Sequence, residues 1–128
     1  MFEQSAARKR KGRSSPRRTA EKPAQAGALR KQLGLKQATF ARLLPISVRS
    51  LAALESGSAP SEAVARRLIE LSRLTEALSE VIRKESLDQW LQKPNPAFNE
   101  LKPLEVIERG EIDRIWAMIF FLRSGVAS

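Results

Sequence analysis

Between Gln37 and Gly57 the chain runs Gln-Ala-Thr-Phe-Ala-Arg-Leu-Leu-Pro-Ile-Ser-Val-Arg-Ser-Leu-Ala-Ala-Leu-Glu-Ser-Gly, a pattern of two short helices joined by a tight turn. Phe40, Ala41 and Leu44 share one face of the first at helical spacing. Pro45 belongs in the turn, because a helix interior rejects a residue that lacks the N–H and crowds the preceding carbonyl. Ser47 stands where an N-cap is needed, with a side-chain oxygen able to accept an orphan backbone N–H. Gly57 suits the left-handed position that closes the second helix.

The second helix has two unlike faces. At about 100° per residue, Leu51 and Leu54 point one way, and Arg49, Ala53 and Ser56 point nearly the opposite way, with Val48 and Ala52 on the shoulder. The outer face is small and polar, with one long cation. A helix entering a major groove needs small residues for close backbone approach and a few side chains that reach base edges. Arginine is the side chain that bonds guanine O6 and N7 together. An ordinary two-helix hairpin with a solvated outer face has the same periodicity.

Gln37, Phe40-Ala41, Ile46-Ser47, Leu51 and Glu55-x-Gly57 resemble the Xre-type helix-turn-helix of phage-repressor-like regulators, over roughly residues 28–71. The resemblance implies that Gln37 touches a phosphate, that Val48, Arg49 and Ala53 face base edges, and that Ser56 lies near the DNA backbone. Ser47 and Ser50 complete the candidate DNA-contact set. Pro45 stands where such proteins usually have Gly.

The 128 residues include no Cys, His or Tyr. That removes disulfides, Cys/His zinc sites, thiol or Ser-His nucleophiles and histidine acid–base work. No paired-carboxylate site or Gly-rich phosphate loop appears, so the expectation is no catalytic residue, no metal and no cofactor. The net charge of +9 is unevenly placed. Residues 1–23 hold eight Lys/Arg against two Glu, and residues 24–60 five against one. Residues 61–99 balance at six and six, and residues 100–128 hold four against five. Such asymmetry points to a polyanion at one end and a different partner at the other. No signal peptide is visible, since the basic start is not followed by an apolar run. Zero Cys fits a reducing cytoplasm.

Residues 1–23 carry Arg8, Lys9, Arg10, Lys11, Arg13, Arg17 and Arg18 with almost nothing apolar, and are expected to be a disordered basic tail. It is either a phosphate-binding arm or a solvated segment. A first helix is expected over Ala24–Leu33, stopped by Gly34, with Leu29 and Leu33 inward and Arg30 and Lys31 solvated. Glu55 reads as structural, paired with a nearby Arg. Ser61 is the next N-cap, followed by Val64, Leu68, Leu71, Leu74, Leu78, Val81 and Ile82 at spacings of three and four. This is one long helix or two broken near Ser72. Arg66, Arg67, Glu70, Arg73 and Glu80 fit a solvated face.

Ser86 is expected to cap a short helix carrying Leu87, Trp90 and Leu91. Pro94 and Pro96 forbid a regular helix through Asn95, and Pro96 and Pro103 each suit a first helical turn. Gly110 precedes a last helix from near Glu111, with Ile112, Ile115, Trp116 and Ile119 on one face. From Ile115 to Leu122 every residue is apolar. Eight residues are too few for a bilayer, which needs about 20, and a surface helix should keep a polar stripe. Met118, Phe121 or Leu122 is therefore expected to meet another chain.

Trp90-Leu91-x-x-Pro94-Asn95-Pro96-Ala97-Phe98, Pro103-Leu104-Glu105 and Gly110-Glu111 resemble the toxin-binding domain of the MbcA/ParS/Xre antitoxin family, over roughly residues 74–128. Asn99-Glu100 stands where members often have Gly-rich residues. The resemblance implies an all-α chain: a tail (1–23), a helix-turn-helix DNA-binding domain (24–73) and a toxin-binding or dimerisation domain (74–128). It implies an antitoxin of a type II pair that masks the active site of a RES-family, NAD-consuming toxin. The helix-turn-helix adds the expectation that the chain represses its own operon, reading operator DNA as a homodimer. Met118, Phe121, Leu122, Arg123, Ser124 and Gly125 are the expected toxin or dimer contacts. Trp90, Pro94, Asn95, Pro96, Pro103 and Leu104 are expected to build the domain. A stand-alone repressor whose C-terminal domain only dimerises fits the same charge asymmetry and motif.

Overall fold

The computed structural model describes residues 22–124, so the expectations for the basic tail up to residue 21 and for Gly125 lie outside the described residues. Within them the chain forms seven α-helices: α1 (Lys22–Leu33), α2 (Gln37–Leu43), α3 (Val48–Glu55), α4 (Glu62–Leu78), α5 (Leu87–Leu91), α6 (Pro103–Glu108) and α7 (Ile112–Ser124). Single 3-10 turns at Lys84–Ser86 and Pro96–Phe98 precede and follow α5. No described helix is long and apolar enough to cross a membrane.

The helix-turn-helix is α2 and α3. Ser47 Oγ accepts the Ser50 N–H at 3.0 Å, so α3 starts on a satisfied cap. It ends in a Schellman turn: Ser58 N donates to Ala53 O, Gly57 N donates to Leu54 O, and Gly57 takes φ +117°, as a left-handed closing residue should. Leu51 and Leu54 are buried beneath it, and Phe40, Ala41, Leu43 and Leu44 of the α2 region pack there too.

α4 passes unbroken through Ser72, which decides between the two alternatives left by its periodicity. Ser61 Oγ accepts the Val64 N–H at 3.2 Å. The helix stops at Leu78, so Val81 and Ile82 fall in the following turn rather than extending the stripe. α4 packs against α1 on one side and α7 on the other, while α2 packs on α6. One continuous core, from Ala26 and Leu29 through Leu71 and Leu78 to Ile115 and Ile119, underlies both halves. At the α1–α2 turn the approach is close enough that a Cβ on Gly34 (φ +69°) would stand 2.6 Å from the Asp88 Cβ.

Three expectations need correction. Arg30 is not solvated: it is half buried and ion-paired with Glu55. Arg67 is also withdrawn from solvent, its side chain 17% exposed. Its Nε donates to Leu43 O and its Nη2 to Ile107 O, both at 2.8 Å, while Nη1 meets Glu70 Oε1 at 2.7 Å. It thus joins the C-terminal ends of α2 and α6, where carbonyls lack helical partners and carry partial negative charge. Ser86 makes no side-chain cap on α5, because the 3-10 turn it closes already leads into that helix.

Candidate nucleic-acid and partner surfaces

The outward face of α3 presents Val48, Arg49, Ala52, Ala53 and Ser56 to solvent, with Ser47 and Ser50 at its start. Arg49 has no hydrogen-bond or ion-pair partner among the described residues, so its guanidinium is available to a ligand. Ser47 Oγ donates to Ser50 Oγ at 3.0 Å, which ties both hydroxyls to the first turn of the helix. Lys31 and Lys36, beside the α1–α2 turn, are exposed.

Behind this face lies a carboxylate that three helices share. Arg30 of α1 donates from Nε to Glu55 Oε2 at 2.7 Å and from Nη2 to Glu55 Oε1 at 3.0 Å. Its third arm, Nη1, reaches Leu35 O at 3.1 Å. Gln37 of α2 donates from Nε2 to Glu55 Oε1 at 3.1 Å. The paired hydrogen bonds from Arg30 hold the Glu55 carboxyl below the usual carboxylate range, against the opposing effect of burial, with Gln37 helping. Gln37, expected to touch a phosphate, is thus half buried and engaged with Glu55. The cluster fixes the pitch of α3 against α1 and α2, and a bidentate Arg–carboxylate pair is the geometry suited to that task.

In the other half, Asn95 organises the proline-flanked loop. Its Oδ1 accepts the Ala97 N–H at 2.9 Å, its N–H donates to Leu101 O, and its carbonyl accepts from Phe98 N and Glu100 N. Pro94 and Pro96 on either side are exposed. Phe98 is buried, edge-on to half-buried Trp90 with ring centroids 6.3 Å apart, and the Arg114 guanidinium lies 5.8 Å from its ring centre. Asn99 and Glu100 take φ +57° and +68°. Pro103 opens α6 and is buried beside Leu104, and Glu105 Oε1 accepts the Lys102 N–H at 2.8 Å.

Residues 24–81 match a family model described as a helix-turn-helix domain. The chain is 31% identical over 96 residues to the mycobacterial cidal antitoxin MbcA of Mycobacterium tuberculosis and of Mycobacterium bovis, covering 74% of this chain and 85% of the relative. A solved structure, the M. tuberculosis MbcT–MbcA toxin–antitoxin complex, contains a chain that superposes with a TM-score of 0.67 at 28% identity. The match covers 81% of this chain and 95% of that one. This chain belongs to the MbcA antitoxin family. It is an all-α, Xre-type helix-turn-helix member, and the likeness extends through both halves rather than stopping at the DNA-binding motif.

In this MbcA-family chain the end of α7 is left open. Phe120 is 75% exposed, and Phe121 and Leu122 are each 46% exposed. Met118, grouped with these on sequence grounds, is instead half buried against the core. Phe120 joins the exposed set without a sequence signal. An all-apolar run gives no internal sign of which way the helix is rolled, and the buried row Ile112, Ile115, Ile119 sets that roll, turning Phe120 out. Arg123 Nε lies 3.4 Å from Glu80 Oε1 in the turn after α4, and Ser124 Oγ donates to Phe121 O at 3.0 Å.

Proposed function

We propose that this chain is the antitoxin of a type II toxin–antitoxin pair and catalyses nothing itself. In this reading it binds a cognate RES-family, NAD-consuming toxin and masks that enzyme's active site. It also represses its own operon from the bacterial cytoplasm. The observation that carries the reading is the likeness over 95% of an MbcA chain solved in complex with its toxin. The exposed apolar end of α7, with Phe121, Leu122 and Arg123 beside Phe120, supplies the kind of patch that marks a protein contact. The division of labour falls near residues 73–74, with DNA on one side and the toxin or a second copy on the other.

On the DNA side, Arg49 reads a base edge, Val48 and Ala53 approach the groove, and Ser47, Ser50 and Ser56 lie along the backbone, while Gln37 holds Glu55 behind them. A homodimer would set two such helices on half-sites one turn, about 34–36 Å, apart. The test is co-expression with the product of the neighbouring reading frame, followed by purification and mass determination. A stable complex whose toxin regains activity once this chain is removed supports the reading. A homo-oligomer that ignores its neighbour yet binds a palindrome instead identifies a stand-alone repressor.

A further inference from the structure

A groove of about 560 Å³ runs between α4 and α7, with Arg66, Arg67, Ile69, Glu70, Arg73 and Trp116 in its lining. Its floor is apolar: Ile69 is 37% exposed and Trp116 half buried. Its rim is cationic. Glu70 is already paired with Arg67, whose other donors are spent on the carbonyls of Leu43 and Ile107. Arg66 and Arg73 are exposed and have no hydrogen-bond or ion-pair partner among the described residues. Seven residues apart, they stand two helical turns, about 10 Å, from each other on one side of α4, with Ile69 between them. Phe120, one turn beyond Trp116 on α7, continues the apolar surface outward.

Free guanidiniums around an aromatic and aliphatic floor match the centre of a protein interface, where Arg and Trp are enriched. A duplex phosphate backbone would use the cations and gain nothing from Ile69, Trp116 and Phe120. A second copy seated face to face on this groove would set Arg66 and Arg73 against their own counterparts. Charge complementarity therefore calls for an acidic protein partner.

We infer that the α4–α7 groove docks an acidic amphipathic helix of the cognate toxin. That helix carries carboxylates seven residues apart, which meet Arg66 and Arg73, and an apolar side chain between them that enters beside Ile69 and Trp116. The inference rests on the toxin reading and adds an anchor separate from the tip of α7.

The test titrates the co-expressed neighbouring gene product, purified apart, against the full-length chain, the double variant Arg66→Glu/Arg73→Glu and the variant Ile69→Ser. The double variant should bind at least about tenfold more weakly, with the loss shrinking at high salt. Ile69→Ser should weaken binding without that salt dependence. Thermal midpoint, oligomeric mass and operator affinity should stay as in the parent. Unchanged toxin affinity in the double variant overturns the inference. Loss of the homo-oligomer, or of operator affinity, with toxin binding intact also overturns it, and gives the groove to a second copy or to DNA. If the double variant unfolds, Arg66→Gln/Arg73→Gln is read by the same criteria. A parent chain that does not bind its neighbour removes the toxin reading itself, and the inference with it.

Discussion

Pro45 sits where three other helix ends in this chain place glycine. α1, α2, α3 and α6 each close with the same long turn bond, Leu35 N to Arg30 O, Ile46 N to Ala41 O, Ser58 N to Ala53 O and Glu111 N to Val106 O. The left-handed residue of that turn is Gly34, Gly57 or Gly110 in three of them, and Pro45, at φ +28°, in the fourth. The pyrrolidine ring favours about −65°, and Pro has no N–H to complete the second turn bond to Arg42 O. Pro45→Gly is expected to stabilise the fold by about 1 kcal/mol, the relief of strain exceeding the added freedom of the unfolded chain. Urea denaturation measures this, and a lowered midpoint would count against the assignment of strain. Arg49→Ala should weaken operator binding by about 1–3 kcal/mol and relax the preference at one base pair. A footprint and affinity equal to the parent's would remove Arg49 from base reading. Glu55 sets a pH dependence. Its folded pKa is depressed by Arg30, so its contribution is present above the usual carboxylate value of about 4.3 and is lost as pH falls through the lower folded value. Glu55→Gln should therefore be less stable than the parent at pH 7, and the difference should narrow in acid. A gap constant from pH 7 to pH 3 would contradict this.

Between elements, the Arg67 hydrogen bonds matter most. Leu43 O and Ile107 O come from helices 24 and 40 residues away in sequence from Arg67. Arg67→Ala strands two carbonyls at helix C-termini and should cost about 2–4 kcal/mol, since hydrogen bonds to a charged donor contribute more than neutral ones. Arg67→Lys should recover part of that loss, because an ammonium can satisfy one carbonyl but lacks the planar fork for both. A loss below about 0.5 kcal/mol for the alanine variant, the range of an ordinary surface change, would make the clasp incidental. The same contrast shows what was legible in the sequence. Ser47, Ser61, Gly34 and Gly57 announce helix ends because capping depends on residues three or four positions away. Arg67 and Arg30 looked like solvated cations because their partners are set by tertiary packing. Ser86 resembled Ser47 and Ser61 but sits at the end of a 3-10 turn, a local geometry that periodicity does not register. For the candidate sites, the outward face of α3 is readable because Leu51 and Leu54 anchor its opposite side. The roll of α7 is not, because an all-apolar run carries no marker that turns Met118 inward and Phe120 out.

At the scale of the whole molecule, charge and shape are distributed differently. Positive charge is concentrated before residue 61, while the core runs without a break from α1 to α7. The basic segment 1–23 is the sequence's largest reservoir of unbalanced charge. Its deletion should flatten the salt dependence of operator binding, by about 0.9 in slope for each B-DNA phosphate that is no longer neutralised. An identical slope for the truncated chain would make the segment a bystander.

The unbroken course of α4 bears on how such proteins can be recombined. A chimera that takes its DNA-reading helices from one relative and its partner-binding half from another would cut this helix if joined near residue 73. It would also leave Arg67, inherited with Leu43, facing an Ile107 carbonyl from the other parent. A joint in the turn after Leu78 leaves α4 whole, and the clasp stays matched when the α6 segment around Ile107 is also taken from the parent of Leu43 and Arg67. On the proposed reading the DNA-facing and partner-facing halves are thus coupled at this seam, and a swapped head should fold only when the seam travels with it.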